Sequence, residues 1–180
     1  MLVEQGYEGM SIEAVAARAA VGKATIYRRY DGKDALVAAA LRTLNPVSAI
    51  DLPDTGSVRS DLEMLIGAIA RAILGSVIGP MIARLLSAAI TNPDLHQIFY
   101  EHFLLPRRAA ALTILRRGVE RGELRPDLDI ELALDMMVGA IIFRILFGAQ
   151  DLTTLPATIP QMVTLMLRGA APEECLVNRS

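Results

Sequence analysis

Lys23, Thr25, Tyr27, Arg28, Arg29, Tyr30 and Lys33 carry four cations, one aliphatic hydroxyl and two phenols within eleven residues. Groups of these types suit a nucleic acid. An arginine can engage both acceptors on a guanine edge, and lysines neutralise phosphates. A tyrosine can pack its ring and still offer its hydroxyl to phosphate or water. The spacing assigns Thr25, Tyr27 and Arg28 to base edges or nearby phosphates, with Arg28 the best candidate for guanine. Lys23, Tyr30 and Lys33 then anchor the backbone, and Arg29 shares the exposed sides of the segment.

Such groups need a short helix presented on a rigid support. Ser11 can cap a first helix, Glu13 adds a favourable charge to its first turn, and Ile12, Val15, Ala16 and Ala19 are spaced to face a core. Ala20, Val21 and Gly22 break the pattern, with Val21 apolar enough to be buried at the corner. A second helix over 23–30 puts Ile26 and Tyr30 on one side. A turn of about three residues is what a helix-turn-helix requires, and a short helix exposing hydroxyls and guanidinium groups fits a major groove. Asp31-Gly32-Lys33-Asp34 closes that helix and opens the next. On pattern alone, the alternative is a small helical hairpin with a solvated basic end.

Gly6-Tyr7, Ser11-Ile12, Val15, Ala16, Val21, Lys23, Thr25, Ile26, Tyr27, Arg28, Tyr30, Lys33 and Leu36 follow an order and spacing that resembles the tetracycline-repressor (TetR) family of bacterial transcription regulators. The resemblance implies an all-α homodimer with an N-terminal DNA-binding domain and a C-terminal domain that binds an effector and the partner subunit. It also implies an inverted-repeat operator in double-stranded DNA. Ala20 stands where a turn glycine is common, and Gly22 where a capping serine is common. Only residues 1–5 precede Gly6-Tyr7, whereas the family's first helix begins well before that pair. This sets up an alternative expectation: a helical, dimeric, ligand-binding protein that leaves DNA alone in this N-terminally short form.

Composition agrees with a helical regulator. Hydrophobic residues make up 53% of 180 positions and aromatics only 4%, so the interior is aliphatic. A net charge of −2 is not that of a nonspecific nucleic-acid coat. Residues 1–44 hold six Lys/Arg against five Asp/Glu, so local placement must supply the attraction. Cys175 is a lone cysteine, and the first residues lack a basic start and an apolar run. The apolar stretch 62–90 is interrupted by Arg71, Pro80 and Arg84. Together these predict a cytoplasmic protein with no membrane partner.

Helical periodicity continues over 34–44, 57–74, 80–89, 94–121, 129–147 and 159–167, and Pro106 should disturb the backbone near Phe103. Pro46, Pro53 and Gly56 mark residues 45–56 as a linker between a DNA-binding domain (1–44) and an effector-binding and dimerisation domain (57–180). Met136, Met137, Ala140, Phe143 and Phe147, together with Met162, Val163, Met166 and Leu167, are the dimer-interface candidates; an intramolecular core is the alternative. His96, Phe99, Tyr100 and Phe103 share one helical face, which Met64, Met81, Ile82 and Leu85 can oppose around a small apolar or aromatic effector. Arg144, inside an apolar helix, must pair with Asp135 or a ligand carboxylate, or else face solvent.

Nothing in the chain reads as an enzyme, a metal site or a cofactor site. His96 and His102 fall on different helical faces, no glycine-rich phosphate loop occurs, and Cys175 has no histidine near it in sequence. Arg107, Arg108, Arg116, Arg117, Arg121 and Arg125 read as a solvated face, with a second DNA or acidic-partner surface as the alternative.

Overall fold

The computed structural model describes residues 2–43, 52–74, 78–147 and 155–170. Every regular element among them is helical. An N-terminal head contains α1 (Leu2–Gln5), α2 (Ile12–Arg18), α3 (Lys23–Tyr27) and α4 (Gly32–Thr43). A larger body follows, with α5 (Val58–Leu74), α6 (Ile78–Ala89), α7 (Pro93–Phe99), a π-helical turn (Tyr100–Leu104), α8 (Leu105–Glu120), α9 (Ile130–Phe147) and α10 (Leu155–Ala170).

Three apolar clusters hold these elements. Ile12, Ala16 and Ile26 close α2 on α3, with Tyr30 and Leu36 packed against them. Tyr7, Met10, Val37 and Leu41 of the head share a second cluster with Met81, Ile82, Leu85, Leu95, Phe99 and Phe103 of the body. A third joins α5, α8, α9 and α10 around Leu62, Ile114, Leu115 and Val163. Each fully buried side chain of this size is worth about 1.5–3 kcal/mol. The shared second cluster therefore binds head to body by packing as well as by the chain.

Part of the expected linker, residues 45–51, lies outside the described residues, as does Cys175. Residues 52–56 are fastened to the body: Leu52 packs on the third cluster, and Arg117 donates to the Pro53 carbonyl at 3.1 Å. Gly118 allows this closure, because a Cβ there would sit 2.9 Å from Val58. The last helix is longer than its periodicity implied and contains Pro160. Leu155, Ile159 and Val163 are buried at four-residue spacing, and that packing outweighs the one hydrogen bond Pro160 cannot donate.

The disturbance expected near Phe103 takes the form of the π turn. Pro106 has no N–H, and the Leu105 N–H reaches back to the Tyr100 carbonyl. At the α2–α3 corner, Ala20 has φ 54°, the left-handed region. The Val21 N–H bonds to the Ala16 carbonyl and the Ala20 N–H to the Ala17 carbonyl, a Schellman closure that normally uses glycine. A left-handed alanine costs roughly 1–2 kcal/mol, part of which glycine gives back through its freer unfolded chain. Ala20→Gly should therefore stabilise the protein by about 0.5–1 kcal/mol, read as a higher Tm at fixed protein concentration. A lower Tm would contradict the strain at this corner.

Candidate functional site

The N-terminal surface is built on one buried anchor. Ser11 accepts the Ala14 N–H at 3.2 Å and starts α2. Val21, expected at a buried corner, is 40% exposed, and Ala19 is also on the outside. The Thr25 N–H bonds to the Gly22 carbonyl at 2.9 Å, and Arg28 and Tyr30 extend the turn beyond α3 through bonds to Ala24 and Ile26. Ile26 alone of α3 is buried, so its pinning against Ile12 and Ala16 turns Lys23, Thr25, Tyr27, Arg28 and Arg29 outward. Tyr27 is 53% exposed, whereas Tyr30 is half-buried with Arg29 5.8 Å from its ring centroid.

Charge placement is mixed. The Lys23 ammonium lies 2.8 Å from Glu13, and that contact holds the Glu13 carboxyl below its usual range. The pair is exposed and contributes little to stability, so a phosphate can compete for Lys23. Lys33, half-buried, sits 4.0 Å from the Tyr7 ring centroid, and the Tyr7 hydroxyl donates to Asp34. Burial and the Asp34 carboxylate push the Tyr7 phenol above its ordinary value. Tyr7 thus ties the turn after α1 to the first turn of α4. Glu4 accepts from Arg18, which lowers its carboxyl to about 2. Its backbone carbonyl takes Arg84 of α6 at 3.4 Å.

The body holds a partly open apolar pocket of about 120 Å³ between α5, α6, α7, the π turn, α8 and α9. Of the expected effector residues, Ile82, Phe99 and Phe103 line it. Phe99 and Phe103 stack at 4.8 Å between centroids. The others are elsewhere. His96 and Tyr100 are exposed and stack on each other at 6.3 Å. Met81 and Leu85 are buried toward Tyr7, Met10, Val37 and Leu41 of the head. Met64 is 53% exposed on the far side of α5, in a groove beside Pro156 and Pro160, and Arg144 is exposed.

The inward stripe is Leu95–Phe99–Phe103, one position away from the one expected. A four-residue step drifts about 40° on an α-helix, and the wider π turn takes that drift back, so Phe103 stays over Phe99. Sequence reasoning missed Met137, Val138, Ile141 and Arg107 on the cavity wall. Arg107 is buried with its guanidinium 3.6 Å from the Phe103 ring centroid, and it donates to the Phe103 carbonyl at 2.5 Å. Burial lowers it to about 10, so it remains a cation at neutral pH. The rest of that arginine run is largely matched by carboxylates: Arg108 with Glu131 and Asp135, Arg117 with Asp54, and Arg121 with Asp54, Asp61 and Glu123.

A second apolar surface runs along α9 and α10. Met136, Ala140, Phe143 and Phe147 are exposed on α9, and Leu165 adds to them from α10, where Met162 and Met166 are half-buried. Met137 and Val163, expected in the same face, are core residues instead. Neighbours in sequence lie about 100° apart on a helix, so Met136 and Met137 cannot both face outward. No helix among the described residues is long and apolar enough to cross a membrane.

The sequence profile described as "Bacterial regulatory proteins, tetR family" matches residues 1–40, and "Tetracyclin repressor-like, C-terminal domain" matches residues 52–165. The helix-turn-helix transcriptional regulator YdeS of Bacillus subtilis is 32% identical over 84% of this chain and 75% of its own length. A DNA-binding transcriptional repressor TetR of Mycobacteroides abscessus is 30% identical over 95% of this chain and 90% of its own. The crystal structure of the TetR family transcription regulator SCO0332 superposes with a TM-score of 0.72 at 30% identity, covering 95% of this chain and 92% of that one.

Proposed function

The chain belongs to the TetR family of bacterial regulatory proteins, and from that membership we propose a homodimeric repressor whose two α3 helices read the halves of an inverted-repeat operator. The protein is a DNA-binding, ligand-responsive transcriptional regulator; a helical protein that leaves DNA alone is not favoured. Residues 1–44 read DNA, 45–56 connect, and 57–180 take the effector and the partner subunit. Its place of action is the cytoplasm.

The observation that carries the operator assignment is the outward row Thr25, Tyr27, Arg28 and Arg29 on an α3 pinned by buried Ile26. Regulation follows from the second cluster. Phe99 and Phe103 line the cavity and also belong to the cluster that contains Val37 and Leu41 of α4. A small apolar or aromatic effector that fits one arrangement of these side chains better than another shifts α4, and with it the separation of the two reading helices.

Arg28 and Lys33 separate base reading from anchoring. Arg28→Ala should cost about 1–3 kcal/mol and relax preference at one base position. Lys33→Ala should weaken all duplexes alike and reduce the salt slope by about one. Titration of matched and single-substitution duplexes decides this. Uniform loss in both variants would remove Arg28 from base reading.

A further inference from the structure

The cavity specifies its occupant more narrowly than "small and apolar", and this inference rests on the function proposed above. At about 120 Å³ it is somewhat smaller than an apolar cavity of roughly 150 Å³ that stays dry and accepts benzene. Its wall is carbon from Leu65, Ile82, Leu86, Phe103, Val138 and their neighbours, and no nitrogen or oxygen presents surface to it. Arg107 belongs to that wall, yet its guanidinium is held over the Phe103 ring and donates to the Phe103 carbonyl. A hydroxyl or carboxylate turned into this lining would surrender its hydration and meet only carbon.

We infer that the effector is an uncharged hydrocarbon of a single ring, benzene to toluene in size, and that the site rejects acids of the same shape although an arginine stands in its wall. Binding is then by apolar contact and dispersion alone. Filling the void presses on Phe99 and Phe103, the side chains shared with α4.

Toluene and benzoate, near-equal in shape and different in charge, test this by calorimetric titration and thermal shift on the full chain at neutral pH. Toluene should bind saturably, raise Tm and bind at least tenfold tighter than benzoate. Leu86→Phe and Ala111→Leu, which add carbon to the cavity, should each weaken toluene at least tenfold while keeping the helical circular-dichroism spectrum. If both variants fail to fold, the toluene-to-benzoate ratio on the natural chain still decides. Benzoate binding as tightly as toluene, and lost in Arg107→Gln, would overturn the inference, and so would no saturable toluene binding. Toluene binding without any change in duplex affinity supports the ligand class and overturns the effector role, so the two failures are distinct.

Discussion

Phe143→Asp yields a monomer that keeps its helices and loses affinity for a two-half-site duplex by roughly 10²- to 10⁴-fold, the factor that joining two binding events supplies. Met136 is 70% exposed, Phe143 63%, Phe147 71% and Leu165 71%, and Phe143 and Phe147 touch along α9 at 5.4 Å between centroids. Single exposed apolar side chains are ordinary on a protein surface. A group of them on two neighbouring helices is the association site we propose. Met162 and Met166 line a groove of about 390 Å³ beside Met136 and Ala140, into which a partner's side chains can pack. Two copies of this face related by a two-fold axis would give an isologous four-helix interface, and such a dimer would set two α3 helices at a fixed separation. A carboxylate at Phe143 would have to lose its hydration inside that interface, whereas in the monomer it remains in water at little cost. Sedimentation equilibrium and duplex titration check both halves of the expectation. A variant that stays dimeric with unchanged duplex affinity would place the interface elsewhere.

Asp61→Ala should destabilise the fold by about 1–3 kcal/mol, the cost of leaving buried hydrogen-bond donors without their charged acceptor. Asp61 is fully buried near the start of α5. Its Oδ1 accepts the Thr55 N–H at 2.8 Å and the Thr55 hydroxyl at 2.7 Å, and its Oδ2 faces the Arg121 guanidinium at 3.7 Å. Glu123 completes the node by accepting the Val58 N–H at 2.8 Å and Arg121 at 2.6 Å. Removing the carboxylate leaves the Thr55 amide and hydroxyl without their acceptor, while Arg121 keeps Asp54 and Glu123. Asp61→Asn keeps one acceptor for Thr55 and should cost less. Urea unfolding of both variants at one protein concentration reads the difference, and an Asp61→Ala loss below about 1 kcal/mol would show that the node is dispensable.

The head was legible because its signals are local. A capping serine, a three-residue turn and an apolar residue at position 26 lie within one short segment, and each dictates a backbone conformation by itself. The outward faces of α9 were half legible: the periodicity identifies an apolar helix, but only packing against α8 and α10 decides that Met137 turns in and Met136 out. The cavity was least legible. His96 and Tyr100 share a sequence stripe with Phe99 and Phe103, yet the stripe that faces inward starts at Leu95 and runs through Phe99 and a π turn to Phe103. Arg107 looked like one more solvated cation of its run. Its burial depends on the stacking partner and the carbonyl that Phe103 supplies, and neither is visible before the turn at Pro106 is formed.

Selection of bound fragments from a randomised duplex library by the full chain tests the account most directly. A reader of inverted repeats should enrich one motif present twice, with half-site centres about 34–36 Å apart or a multiple of that distance. Enrichment of nothing above background, or of an asymmetric single half-site, would contradict a dimeric regulator that reads DNA through α3.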